Sequence, residues 1–212
     1  TETRTFSGAD GGVMTPPAHL PASPWIVLLD CGAASGDALT SQVETALAEA
    51  FEQNLCTDAL ISQNAAQRDM FWQIRETIPA ANRRIGAVSS HDISLPLAAI
   101  PKFIETARAA IDPGLRLNCF GHLGDGNLHF NIFPPKGAKR SDFAHMTKDV
   151  QRLVYDLVAE MGGSFSAEHG IGRLKLDELQ HYGDPVKLAM MRAIKTALDP
   201  RGILNPGAVI PL

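Results

Sequence analysis

The chain has 212 residues, 45% of them apolar and 20% charged. This is ordinary globular composition, in a chain long enough to bury a core without disulfides or a structural metal. With 19 basic against 23 acidic residues and a formal charge of −4, it lacks the clustered cations that a nucleic-acid surface needs. No apolar run approaches the roughly 20 residues of a membrane-spanning helix. The three cysteines, Cys31, Cys56 and Cys119, show no CxxC spacing. A disulfide framework or zinc ribbon is therefore not expected, and a reducing compartment, cytoplasm or an organelle matrix in a eukaryote, is the simplest expectation. Cys31 and Cys119 lie in apolar stretches and are expected in a core.

Residues 1–24 are rich in proline and glycine and have little apolar periodicity. They read as a linker, which would join this segment to a further domain, or equally as an ordinary poorly ordered terminus. One domain is then expected over 25–212. Trp25 to Cys31 (WIVLLDC) is a short apolar run that predicts a strand. Val43, Ala46, Leu47 and Ala50 recur at helical spacing from Ser41 to Phe51, behind Thr40 as a cap. Ala59 to Ile61 predicts a second short strand. Asn64 to Arg84 predicts a helix that Pro79 kinks or ends. Val88 to Leu95 predicts a strand, Pro96 to Ile111 a helix, and Leu115 to Leu123 with Leu128 to Phe133 a pair of strands. A strongly periodic helix is predicted from Phe143 to Met161. A Gly-rich loop follows at 162–172, then shorter helices near Leu174–Gln180 and Pro185–Leu198. The class is α+β, a sheet with helices on one face.

The segment from Asn118 to Ile132 carries the most chemistry. Asp125-Gly126 is a two-residue hairpin signal, because a type I′ turn needs positive φ at both positions. Counting outward from it pairs His122 with His129, about 4.5–5.5 Å apart at Cβ. Leu128, Phe130 and Ile132 then share one face with Cys119 and Gly121, while His129 and Asn131 share the other with His122. Two imidazoles so placed suit one metal ion. A third ligand is available in Ser166-Ala-Glu-His-Gly-Ile-Gly172. A carboxylate offsets the ion's charge, which favours Glu168 as the ligand and leaves His169 as a general base; the exchanged assignment stays open. Two histidines and a carboxylate suit zinc, iron(II) or manganese, with zinc the expected ion.

These segments resemble a known family. GHLGDGNLHFNI (121–132), SAEHGIGRLK (166–175) and DPRGILNPG (199–207), with WQIRE (72–76) and HDISLP (91–96), resemble the C-terminal domain of FAD-linked oxidases. That group includes D-lactate dehydrogenases, the glycolate oxidase D subunit and D-2-hydroxyglutarate dehydrogenase. The resemblance runs from about Trp25 to Leu212. It implies a ferredoxin-like α+β cap domain over a flavin that a separate N-terminal FAD-binding domain holds. Nothing in this chain resembles that FAD-binding domain.

By the same resemblance His122, His129 and Glu168 are metal ligands and His169 is the base. Asn131 contacts the substrate, Arg75 holds its carboxylate, and Asn205 lies near the flavin. The implied activity is oxidation of a small D-2-hydroxy acid, with FAD and a divalent metal as cofactors and the FAD-binding domain as partner; a homo-oligomer is compatible. Ser90 stands where D-2-hydroxyglutarate enzymes carry a lysine, and Pro79 where they carry a threonine. Both changes remove groups that would bind a distal carboxylate. Ala208 replaces a common lysine in the NPG tail, and Lys175 keeps the family's position without an evident role. Two other readings are a non-catalytic cap or assembly module and a self-sufficient metal hydrolase working through metal-bound water.

Overall fold

The computed structural model describes Ser23, residues 25–33 and residues 38–210. The linker expected over 1–24 falls outside these, apart from Ser23. The described residues up to Arg84 and those from Ile85 onward form two compact units.

In the first unit α1 (Leu39–Glu52) and α2 (Ala65–Ile85) are both helical at the predicted places. Thr40 lies inside α1 and does not cap it; Ala38 holds that position without a side-chain bond. Helix α2 neither stops nor breaks at Pro79; the ring removes only one backbone bond, the one that would reach the Arg75 carbonyl. The two strands expected here do not form. Trp25–Cys31 and Ala59–Ile61 join no ladder, and no strand is present among the described residues of this unit. An extended segment needs a neighbour for its N–H and C=O groups, and this unit provides helices only. Ile26, Val27 and Leu29 are accordingly more than 60% exposed, and Cys31 is exposed rather than in a core. Asp30 is tied to α2 by the Arg68 guanidinium at 2.6 Å and the Trp72 indole N–H at 3.2 Å.

The second unit is built on a three-stranded antiparallel sheet in the order β1-β3-β2. Its strands are β1 (Ser89–Ser94), β2 (Arg116–Phe120) and β3 (Asn127–Phe133). Helix α3 (Ile100–Ala110) carries the chain from β1 to β2, which run parallel with β3 between them. The crossover is therefore a split βαβ unit. A short 3₁₀ turn at Leu97–Ala99 begins the segment expected to be wholly helical. After β3, another 3₁₀ stretch (Arg140–Met146) leads into α4 (Thr147–Glu160). On the far edge of β1 a fourth strand is reduced to one bridge, Ser94 with Ser164. There the chain leaves the sheet as the loop over 162–172. Helices α5 (Leu176–Tyr182) and α6 (Pro185–Leu198) follow. Asp184 caps α6 by accepting the Lys187 N–H at 2.7 Å, with Pro185 in the first turn.

The chain is thus mixed α+β, with a core on one face of the sheet. Ile93, Leu128, Phe130 and Ile132 project from that face. They meet Phe103 and Ala107 of α3 and Val150, Val154 and Val158 of α4. The i, i+4 spacing of the three valines puts them on one stripe of α4. Cys119 lies on this face as expected, and burial pushes its thiol up to about 12.

Candidate metal and substrate site

The opposite face of the sheet is polar. Antiparallel register places Asp92 beside His129 and Phe120 in one row, and Ser90 beside Asn131 and Asn118 in the next. The faces agree with the sequence pattern, but the register does not. Phe120, not His122, pairs with His129. The link between the strands is longer than a two-residue turn. It contains a 3₁₀ turn at Leu123–Asp125 and closes on Gly126 at φ 69°. Only Gly126 has positive φ at this bend, whereas a type I′ turn needs it at Asp125 too. The shift is two residues, and an even shift keeps every side chain on its face. His122 therefore sits just beyond β2 on the same side as His129. The ring centroids are 6.2 Å apart and nearly perpendicular.

Glu168 comes to this pair from the 162–172 loop. Its Oε1 lies 2.6 Å from His122 Nδ1, and its Oε2 lies 3.6 Å from His129 Nε2. The neighbouring His169 ring stacks on His129, centroids 5.8 Å apart and 23° from parallel. His129 is the hub, half-buried, with the Phe120 ring 4.9 Å away.

Asp92 lies beneath this group. It is a buried carboxylate at 4% exposure, with no role among the sequence-based expectations. Its Oδ2 accepts the backbone N–H groups of Glu168 (2.8 Å) and His169 (2.7 Å). Its Oδ1 accepts the Asn127 amide at 2.9 Å and lies 3.7 Å from His129 Nδ1. The His169 Nδ1 is also 3.7 Å from this carboxylate. Burial pushes the Asp92 carboxyl up. The N–H groups of His169 and Glu168, the His169 ring and the Asn127 amide outweigh that and hold it below the usual carboxylate range. Asp92, His129, Glu168 and His169 each offer one ligand atom within 4.8 Å of the others. The signal available in the sequence was an acid between two serines in strict alternation, Ser90-x-Asp92-x-Ser94, on a strand otherwise read as apolar.

The loop is held along its length. Ser94 and Ser164 exchange backbone bonds at 2.9 and 2.8 Å. Lys175 Nζ donates to the Phe165 carbonyl (3.0 Å) and to Ser166 Oγ (3.1 Å). Ser166 Oγ in turn donates to the Gly170 carbonyl at 2.8 Å. Burial lowers the Lys175 pKa, with Asp92 and Glu178 opposing.

Of the other sequence-derived residues, Asn131 is buried on the polar face, and its amide reaches the His129 carbonyl at 3.3 Å. Arg75 belongs to α2 of the first unit. Asn205 is exposed in a C-terminal turn at φ 46°. Its carbonyl accepts the Ala208 N–H, and Val209 then donates to the Gly172 carbonyl at 2.7 Å.

Comparison with known proteins agrees with the motifs. The family described as "FAD linked oxidases, C-terminal domain" matches residues 12–209. A D-2-hydroxyglutarate dehydrogenase of Arabidopsis thaliana, named as mitochondrial, is 38% identical over 170 residues, 80% of this chain and 30% of its own length. The Bos taurus protein of the same name is 33% identical over 190 residues, 89% of this chain and 34% of its own. A D-2-hydroxyglutarate dehydrogenase of Xanthomonas citri pv. viticola is 35% identical over 178 residues, 82% and 38% respectively. The chain thus spans about a third of the length of the curated relatives it matches. No helix among the described residues is long and apolar enough to cross a membrane. With the family match running over nearly the whole chain, this protein belongs to the FAD-linked oxidase C-terminal domain family.

Proposed function

We propose that this chain is the substrate- and metal-holding part of a flavin-dependent D-2-hydroxy acid dehydrogenase. The observation that carries the reading is the convergence of Glu168 on His122 and His129, with His169 stacked against the same ring. Two imidazoles and a carboxylate are a donor set that suits a borderline divalent ion, zinc first. When bound, such an ion supplies Lewis acidity toward the substrate's carboxylate and hydroxyl oxygens, and the flavin supplies the electron sink.

The chain's own groups do the rest. His122, His129 and Glu168 hold the ion. His169 takes the proton from the C2 hydroxyl as the C2–H bond breaks and its electron pair leaves as hydride, turning the 2-hydroxy acid into the 2-oxo acid. Asp92 stands behind His169 Nδ1, which leaves Nε2 for that proton. Asn131, in the row beside His129, is positioned to contact substrate. The family resemblance assigns Arg75 to the substrate carboxylate, a contact its planar fork can make bidentate, and Asn205 to the flavin's vicinity. FAD itself is assigned to protein outside this chain. The split βαβ sheet is read as a ferredoxin-like cap whose fourth strand is the Ser94–Ser164 bridge. Ser90, exposed on β1, and Pro79 replace groups that would bind a distal carboxylate, so the reading stops at a small 2-hydroxy acid. The compartment is the cytoplasm or an organelle matrix.

The test uses the longer protein that contains this chain, reconstituted with FAD and zinc. Dye reduction is measured with D-lactate, glycolate and D-2-hydroxyglutarate. Activity with one of these, lowered at least about 100-fold in kcat by His169→Ala, is the expected result. Full activity in that variant removes His169 from the proton transfer.

A further inference from the structure

We infer that Asp92 is the positioning residue of this site, setting Glu168 and His169 at their places rather than binding the ion itself. The inference rests on the reading of His122, His129 and Glu168 as ligands and adds a residue to it. Three successive backbone N–H groups of the loop converge on this one residue. Ala167 donates to the Asp92 carbonyl at 3.2 Å, and Glu168 and His169 both donate to Oδ2. The acceptor is rigid, because Asp92 sits in the ladder opposite His129 and the Asn127 amide holds its other oxygen.

The geometry explains how two adjacent side chains serve one centre. With both amides turned inward to one carboxylate oxygen, Glu168 reaches His122 while His169 lies over the His129 ring. The same carboxylate faces His129 Nδ1 at 3.7 Å. It thereby favours the tautomer with the proton on Nδ1 and leaves Nε2 toward Glu168, the arrangement in which an outer carboxylate orients a ligating histidine. Asp92 Oδ2 already accepts both loop amides, so an ion bound at that oxygen would compete with the loop that brings Glu168; Oδ1 carries only the Asn127 amide.

The 212-residue chain tests this with wild type, Asp92→Asn and Asp92→Ala. Three readouts are needed: amide hydrogen exchange at Glu168 and His169 without metal, zinc affinity by competition titration, and the visible spectrum of the cobalt(II)-loaded chain. Both amides belong to exposed residues, yet they exchange slowly in wild type if Asp92 holds them. In Asp92→Asn, protection at these two amides falls at least about tenfold. Zinc affinity falls about 10–100-fold, and the cobalt bands shift, while the far-UV circular dichroism is unchanged.

Weaker zinc binding with both amides still protected makes Asp92 a ligand and overturns the inference. So does an Asp92→Asn chain that behaves as wild type throughout, or fast exchange of both amides in wild type. A wild-type chain that binds no zinc defeats the ligand reading, while the exchange data still decide whether Asp92 holds the loop. If Asp92→Ala does not fold, Asp92→Asn and the wild-type exchange carry the test.

Discussion

The Glu168 carboxylate lies 2.6 Å from Nδ1 of His122, 46 residues earlier in the chain, although both side chains are more than 40% exposed. An exposed pair of this kind contributes less than about 1 kcal/mol to stability. Its juxtaposition is therefore poorly explained as a fold-stabilising ion pair, and the proposed ion site gives it a role. Glu168→Gln and His122→Ala should each leave the thermal midpoint within a few degrees of wild type. Each should weaken zinc binding by about 100-fold or more, beyond the roughly 10–100-fold cost of losing an outer partner. Calorimetric unfolding set beside metal titration separates the two effects.

His91 lies on the core face of β1, next to Asp92 but pointing the other way. Its Nε2 meets Ser89 Oγ at 2.9 Å, and its Nδ1 has no hydrogen-bond partner among the described residues. The Tyr155 ring packs edge-on at 5.3 Å. Burial, with the Lys175 charge adding to it, lowers its pKa from 6.5 to about 3. The unfolded chain thus binds a proton at a pH where the folded chain refuses it. The associated stability is fully present above pH 6.5 and is lost as pH falls toward 3. By pH 4.5 the loss from this group is roughly 2–3 kcal/mol. His91→Leu should shrink the difference between the unfolding free energies obtained from urea denaturation at pH 7 and pH 4.5 by about that amount. The lowered Asp92 carboxyl acts in the same direction only as pH falls through about 4 and below, outside this window.

The parts of this molecule legible in its sequence are those encoded at short range. The faces of β2 and β3 followed from alternation alone and survived a register error, because that error was two residues. Helix α4 followed from its strong apolar periodicity, and α6 formed at the expected bounds, Pro185–Leu198. The strand expected at Trp25–Cys31 failed because an apolar run states only that it seeks burial, not what will pair with it. Asp92 escaped notice because its contacts with Glu168 and His169 span 76 and 77 residues. No local period encodes a carboxylate's reach to the amides of a distant loop.

Lys175 now has a structural role in this chain. Its ammonium joins the Phe165 carbonyl to Ser166 Oγ at the start of the loop that bears Glu168. Lys175→Met keeps the apolar stem and removes both bonds. Charged hydrogen bonds contribute about 1.5–3 kcal/mol when buried, and this group is only half-buried, so about 1 kcal/mol is the expected loss. That corresponds to a thermal midpoint lower by roughly 2–4 °C. Limited proteolysis should cut first within 164–170. A cleavage pattern identical to wild type would show that the backbone bridge at Ser94 and Ser164 holds the loop without Lys175.

The bend between β2 and β3 offers a paired comparison in a single motif. Gly126 stands at φ 69°, where an added Cβ would run into the Leu95 carbonyl, and Leu95 donates its own N–H to the Gly126 carbonyl at 3.0 Å. Gly124, two residues earlier, has no atom within 4 Å of an added Cβ and no positive φ. Gly126→Ala must therefore carry both the left-handed penalty of about 1–2 kcal/mol and the displacement of a backbone carbonyl. A total of roughly 2–4 kcal/mol is expected, with the Leu95–Gly126 bond lost. Gly124→Ala should stay within about 0.5 kcal/mol of wild type. Since His122 enters the site from this bend, the first variant should also weaken zinc binding, and the second should not. Urea denaturation and zinc titration of the two variants check both halves. Equal effects in the two variants would show that the bend tolerates side chains generally and that Gly126 does not set the position of His122.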